Sequence, residues 1–391
     1  MKKTINTERQ PIKLWLDDVE AGTMEQAKHL ANLPFIHKHI AVMPDAHLGY
    51  GMPIGGVMAT DDVVIPNAVG VDIGCGMCAL QTSLTSISTD NLKSIMSLVR
   101  GSVPVGFKHH KKKQDRNLMP KTKGGVPLSD LAIVSREYSN ALTQLGTLGG
   151  GNHFIEIQKG SDGHIWIMIH SGSRNVGYKV ANYYNNLAIE LNRKWGSKIP
   201  SKWQLAFLPA NSKTGISYLL EMNFCLDFAL ANRKLMMERI KDAFLAVMAP
   251  VTFDLFINIA HNYAAMETHF HKQVFVHRKG ATRAREGELG IIPGSQGTPS
   301  YIVRGKGNRD SFESCAHGAG RKMGRKQAQR QLDLRAEQKR LNDQGIIHGI
   351  RHQRDLDEAA GAYKDIDEVI ENQIDLIEVI VSLKPLAVIK G

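Results

Sequence analysis

The stretch GGGNHFIEIQKGSDGHIWIMIHSGSR, residues 149–174, decides how this chain is read. After three glycines and Asn152, His153, Ile155 and Ile157 alternate with Phe154 and Glu156, which is the period of a strand. His164–His170 (HIWIMIH) is an almost wholly apolar run, the pattern of a buried strand, and it ends at Ser171-Gly172-Ser173-Arg174. Each run carries a histidine at an end, beside Asn, Gly or Ser. Strand ends are where side chains from distant segments can converge, so the spacing predicts a site built from several strands.

Two further segments repeat the pattern. The apolar run Phe253–Ala260 predicts a strand that delivers His261 at its end, and VGVDIGCGM (69–77) offers Asp72 and Cys75 among glycines. Asp, Cys and neutral His together supply hard, soft and borderline donors, a set suited to Mn or Zn more than to Mg. Any one histidine is more often a hydrogen-bonded core residue than a ligand; the recurrence of His153, His170 and His261 in equivalent places carries the metal reading. Cys75-Gly-Met-Cys78 has the spacing of half a zinc site or of a redox pair, but no second CxxC exists and no βαβ unit follows. The remaining reading, which we favour, makes Cys75 a ligand with Asp72, and Cys78 packing. Asp45 and His47 in MPDAHLGYG serve either ligand support or turn formation. His109, His110, His269, His271, His348 and His352 read as ordinary surface residues.

His317 stands apart, in CAHGAGR (315–321). The glycine-rich followers Gly318, Ala319 and Gly320 predict a helix start with free backbone N–H groups, an anion-binding arrangement beside an imidazole able to attack phosphorus. The bland alternative is a simple helix cap. Pro293-Gly294-Ser295-Gln296-Gly297 resembles a second phosphate or base cradle, while the absence of GxxxxGK[ST] excludes a P-loop.

Elsewhere, Gly56–Ala59, Val63–Ile65, Val274–Val276 and Ser300–Val303 read as strands. Tyr218, Met222, Cys225 and Ala229 have helical spacing and open a long amphipathic helix to about Val247, with Cys225 in its apolar stripe. A strongly basic helix is expected after His317, and an acidic amphipathic helix over Ile366–Leu383 before a short final strand. Lys108–Lys113 (KHHKKK) is a basic loop that reads as a solvated charge run. With no linker, low-complexity tract or repeat, the expectation is an α+β fold in one interwoven domain over 1–391.

Composition narrows the function. The chain has 391 residues, 42% hydrophobic, and a formal net charge of +11, which leaves a polyanionic partner, nucleic acid first, and a merely basic protein both open. Four cysteines are too few for a disulfide framework. MKKT is followed by no apolar stretch of a signal peptide, and no run reaches membrane-spanning length, so the cytoplasm is the expected compartment.

Taken together, MPDAHLGYGMPIGGV, NAVGVDIGCGM, GTLGGGNHFIE, HSGSRNVG, RKGATRA, IPGSQGTPSY, SCAHGAGRKM and Lys390-Gly391 resemble, in collinear order, the RtcB family of RNA-splicing ligases. The resemblance implies mixed sheets flanked by helices around a central metal and nucleotide cleft, and a GTP-dependent RNA ligase that joins 3′-phosphate or 2′,3′-cyclic phosphate ends to 5′-hydroxyl ends. It implies a guanylylated His317, and two manganese ions held by Asp72, Cys75, His153, His170 and His261 with Cys75 bridging. It further implies a guanine nucleotide held by Asn152, His153, Phe154, Ile155, Glu156, Asn262, Pro293, Gly294, Ser295, Gln296, Ser300, His317, Gly318, Ala319, Gly320 and Lys390. Glu156 would suit the guanine N1/N2 edge or the ribose, and Arg174 an RNA phosphate. Ala316 and Gly324 stand where the family often has serine, departures that bear on the RNA substrate more than on the chemistry and point to a divergent paralogue that repairs broken RNA instead of serving tRNA splicing. The competing classes are a binuclear metallophosphoesterase acting on cyclic phosphate ends, and a non-catalytic RNA-binding module.

Overall fold

The computed structural model describes residues 1–391. Its first part gives β1 (Lys3–Ile5), β2 (Ile12–Leu14), α1 (Ala21–Ala31), β3 (Ile36–Tyr50), β4 (Met52–Thr60), β5 (Val63–Val64), α2 (Pro66–Val69), β6 (Gly76–Thr82) and α3 (Thr89–Ser102). Then come α4 (Ala132–Gln144), β7 (Phe154–Gly160), β8 (Ile165–Ser171), α5 (Arg174–Lys194), β9 (Leu208–Pro209) and α6 (Lys213–Met248). The remainder is β10 (Phe253–Ala260), β11 (Asn262–His269), β12 (Lys272–Lys279), β13 (Ala281–Arg283), β14 (Leu289–Ile292), β15 (Ser300–Gly305), β16 (Ser314–Ala316), α7 (Arg325–Gln331), α8 (Leu334–Asp343), α9 (Ile366–Glu371) and β17 (Ile377–Lys390).

Two sheets dominate this α+β fold. One has the order β1-β2-β3-β4-β12-β11, the other β10-β6-β8-β7-β17-β15-β14. In the second sheet every neighbouring pair is antiparallel, and the alternation read from sequence sets its two faces. Cys78, Leu80, Ile155, Ile157, Ile167 and Ile169 pack with Met236, Ile240 and Phe244 of α6. Met77, Ala79, Trp166 and Met168 face the other way, against Ile257, Ile291 and Ile302. Ile167 has no exposed surface, so cutting it to Ala would cost about 2–5 kcal/mol.

Helix α6 is the brace. Ser212 caps it by accepting from the Gly215 N–H at 3.0 Å, and it stops at Ala249, whose successor Pro250 disfavours a helical residue before it. Its buried stripe includes Tyr218, Met222, Cys225 and Ala229, as the spacing predicted, and all four cysteines of the chain are free. No helix is long and apolar enough to cross a membrane.

Two predicted helices are corrected. No helix starts at Gly318: residues 317–324 form a loop held by Lys322 N–H to Ala362 O (2.9 Å) and Lys364 N–H to Gly320 O (2.9 Å). Gly320 has φ +71°, and a Cβ there would lie 2.1 Å from Asp45 O, so this glycine serves a close approach and not a helix. The basic segment is helical only in α7 and α8, split where Asp333 accepts from Ala336 N–H and caps the second helix. The acidic helix expected over 366–383 ends at Glu371, and Ile377 onward is strand. Its apolar residues fit either period, and pairing with β15 and β7 decides between them.

Candidate metal centre and nucleotide pocket

One row of the second sheet builds the site. In register, Ala260 faces Gly76 and Gly76 faces Ser171; beside it, His170 faces Phe154 and Phe154 faces Lys390. Cys75 immediately precedes β6, His153 precedes β7, His170 ends β8 but for one residue, and His261 follows β10. His261 is also the single residue between β10 of one sheet and β11 of the other, so the centre lies at their junction. Its N–H donates to Cys75 O at 2.8 Å, which ties the turn after α2 to this crossing.

Backbone carbonyls orient two of the imidazoles. His153 Nδ1 lies 3.0 Å from Leu148 O and His170 Nδ1 3.1 Å from Asn152 O. A carbonyl only accepts, so each Nδ1 carries the proton and each Nε2 presents its lone pair inward. Those Nε2 atoms lie 3.5 and 3.3 Å from Cys75 Sγ, and His170 Nε2 is 3.4 Å from His261 Nε2. Asp72 Oδ2 is 3.1 Å from His153 Nε2. The donors form two triads sharing Cys75, namely Asp72–Cys75–His153 and Cys75–His170–His261, with the ligand atoms of each within 4.8 Å of one another.

The electrostatics suit cations. Burial drives the pKa of His170 and His261 well down, which keeps them neutral and able to ligate. Burial, reinforced by Asp72, pushes the Cys75 thiol well up, so a thiolate there needs a cation beside it. Burial raises Asp72, but the combined influence of His153, Cys75 and Arg174 outweighs it and holds the carboxyl at about 2. A Cβ at Gly172 would sit 2.2 Å from Asp72 Oδ1, so only glycine leaves that carboxylate its place. Donor types, protonation and the glycine cradle all fit a pair of divalent ions sharing a thiolate. A third acidic group, Glu267–His269–Glu313, is different: Arg278 already takes both Glu267 oxygens, at 2.5 and 3.0 Å.

His317 follows the short strand β16 and lies with its ring centroid 4.8 Å from that of His261. Its Nδ1–H and its backbone N–H both donate to Asp45 Oδ2, at 2.6 and 3.1 Å, which leaves Nε2 free. Asp45 is fully buried. The pocket in front of His317 is walled by Phe154, Glu156, Lys390, the Pro293–Gln296 turn and Gly318–Gly320. Lys390 Nζ stands 5.4 Å over the Phe154 ring and donates to Asn152 O at 3.3 Å. Burial raises Glu156 to about 8, against its hydrogen bond with Gln158, and burial lowers Lys390.

The remaining expected residues lie around these walls. Asn262 donates to Asp72 O at 3.1 Å and accepts from Gly280 N–H at 2.7 Å, so it joins the Asp72 loop to the residue behind His317. Ser300 Oγ accepts from Gly294 N–H at 3.2 Å and supports the 293–296 turn from behind. Ile155 points to the opposite face, into the α6 core. Arg174, in a left-handed conformation (φ 58°), reaches 3.4 Å from His153 Nδ1, and Gly149 has no Cβ to block it.

Several residues had no sequence signal. Arg233 on α6 is fully buried and donates to Gly74 O (3.0 Å) and Ser171 O (2.7 Å), stapling the segments that carry the candidate ligands Cys75 and His170. Glu358 lines the pocket and pairs with Arg321 (3.0 Å) and Arg325 (2.9 Å), so Arg321 turns inward while Arg325 stays half-exposed at the pocket mouth. His269 and His348, expected at the surface, are buried, His269 beside Glu267 at 3.1 Å.

Comparison with known proteins agrees with this architecture. The family described as tRNA-splicing ligase RtcB matches residues 26–391. RNA-splicing ligase RtcB of Escherichia coli K12 is 39% identical over 407 residues, covering 99% of each chain. The tRNA-splicing ligase RtcB of Thermococcus kodakarensis is 32% identical, covering 98% of this chain and 95% of its own, and the Mycobacterium tuberculosis RNA-splicing ligase RtcB is 33% identical, covering 94% and 100%. The chain belongs to the RtcB family.

Proposed function

We propose that this protein is a GTP- and manganese-dependent RNA ligase that joins 3′-phosphate or 2′,3′-cyclic phosphate ends to 5′-hydroxyl ends, in RNA repair or tRNA splicing. The observation that carries it is His317: an imidazole with Nδ1 tied to Asp45 and Nε2 open, between a thiolate-centred ligand set and a polar pocket.

His317 Nε2 attacks the α-phosphorus of GTP and pyrophosphate leaves, giving a phosphoramidate between the imidazole and GMP. GMP then passes from His317 to an oxygen of the RNA 3′-phosphate, which restores the free imidazole and activates the end. A cyclic end is first opened by water to the 3′-phosphate. The 5′-hydroxyl attacks the activated phosphorus, its proton is lost, and GMP departs. Asp45 stabilises the positive charge that His317 gains on attack and fixes its ring. Phe154, Glu156 and Lys390 hold the guanine, the 293–296 turn and Gly318–Gly320 hold the rest of the nucleotide, and Arg174 holds an RNA phosphate. Asp72, Cys75, His153, His170 and His261 would hold two manganese ions, which neutralise phosphate charge when bound. Positioning and charge neutralisation carry most of such a reaction.

Incubation with GTP labelled at the α-phosphate and with manganese tests this. The label is expected on the protein, acid-labile and base-stable, and absent from His317→Ala. A metallophosphoesterase would turn over cyclic ends without GTP and be indifferent to that substitution. An RNA-binding module would bind in a salt-sensitive way and form no product.

A further inference from the structure

The loop that follows α3 has no role in the chemistry above, yet it is fastened to the site. Leu148 N–H donates to Pro104 O at 2.9 Å and Gly106 N–H to Gly149 O at 2.8 Å. Gly149 is four residues before His153, so the loop touches chain within about 14 Å of a candidate ligand. The far end is fixed as well: His110 N–H donates to Thr143 O and Gln114 N–H to Leu142 O, each at 2.9 Å. Arg239 of α6 donates to His110 Nε2 at 2.7 Å and to Gln114 Oε1 at 2.6 Å.

What this held backbone displays is unusual. Phe107 is 100% exposed, and Lys108, Lys111, Lys112 and Lys113 are exposed around it. Lys123, further along, pairs with Asp227 at 3.4 Å, while no ion pair of the molecule includes the four lysines beside Phe107. Lys108 also lines, with Arg100, Arg354, Asp355 and Asp357, a cavity of about 590 Å³ that shares Gln296, Glu358 and Lys390 with the nucleotide pocket, so through Lys108 the loop joins a mixed-charge cavity at its edge. A solvated charge run would need neither the anchors nor a bare aromatic ring. An aromatic side chain among unpaired cations is how proteins hold single strands, by stacking bases and tracking phosphates.

We propose that Pro104–Lys113 is a docking site for the single-stranded RNA adjoining the reacting end, with Phe107 stacking on a base and Lys108 and Lys111–Lys113 holding phosphates. This rests on the RNA-ligase reading for its ligand. Because the loop is held at both ends, little ordering is lost on binding.

The test uses the full chain and a fluorescent, unstructured RNA with a 3′-phosphate, its binding followed by anisotropy across a salt series. Phe107→Ala is expected to weaken binding about tenfold and Phe107→Trp to preserve it. Lys111→Ser/Lys112→Ser/Lys113→Ser is expected to reduce the steepness of log affinity against log salt by about 2. Formation of protein-bound GMP should be unchanged in every variant. Unchanged affinity and salt slope overturn the proposal, as does a fall in GMP formation that parallels the loss of binding, because the loop would then act through Gly149. Absence of GMP labelling with loop-dependent RNA binding would sink the ligase reading and leave the docking site standing. Normal labelling with loop-independent binding does the reverse.

Discussion

One carboxylate oxygen of Asp45 accepts from both the ring Nδ1 and the backbone N–H of His317, at 2.6 and 3.1 Å. The pair is 272 residues apart in sequence, and the fold brings them together because the His317–Gly320 loop lies on the backbone of Asp45. The shared oxygen fixes ring rotation and tautomer together, so the nitrogen facing the pocket is the unprotonated one.

Asp45→Asn tests that arrangement. An amide can donate to Nδ1, which moves the proton to Nε2 and removes the proposed nucleophile. Protein–GMP formation should fall on the order of 10²–10⁴-fold with little change in melting temperature. A variant that labels at the wild-type rate would contradict the assignment.

Manganese binding should depend on pH through Cys75. Its thiol is pushed well above its ordinary value by burial and by Asp72, so it is protonated across the neutral range and must lose that proton to ligate. Affinity is therefore expected to rise about tenfold per pH unit between roughly pH 6 and 8, with one proton released per protein, and calorimetry in buffers of different ionisation heat reads both. Cys75→Ala should abolish the proton release and lower the number of ions bound.

Gly172→Ala places a methyl group 2.2 Å from Asp72 Oδ1. The carboxylate must move off the ligand set while the surrounding core is untouched. We expect manganese affinity to fall about tenfold or more, as when a ligand's supporting contact is lost, and circular dichroism to stay as in the parent. Parental manganese affinity would show that Asp72 is not held where the structure has it.

Acid should weaken the fold through His277. This residue is fully buried; its Nδ1–H donates to Phe275 O and its Nε2 accepts from Ile65 N–H, so only the neutral ring satisfies both. Burial lowers its pKa from 6.5 to about 4. The unfolded chain takes up a proton below about pH 6.5 and the folded chain does not until about 4, so stability is full above that window and falls as pH drops through it, by about 3 kcal/mol from this residue. Urea midpoints over pH 4–7 check this, and His277→Gln should flatten the slope.

Much of the candidate site's convergence was legible because its residues sit where periodic patterns end. The alternation over 153–157, the apolar runs at 164–170 and 253–260, and the glycines around Asp72 and Cys75 each mark a strand end, and the structure places all of these in one row. The helix predicted at Gly318 failed because glycines that permit a helix start equally permit the left-handed turn that closes on Asp45. The acidic helix failed because a short apolar run fits two periods until a neighbouring strand claims its hydrogen bonds.

Local sequence determined the strands, the long brace from Lys213 and the identity of the candidate donors, since these follow from side-chain period, capping and ligand chemistry. Only tertiary structure decided which nitrogen of each histidine faces inward, that Arg233 and Glu358 are interior, and that Asp45 serves His317. The reason is physical. Tautomers and buried charges are set by the particular carbonyl, guanidinium or carboxylate that packing brings within about 3 Å, and no local pattern carries that information.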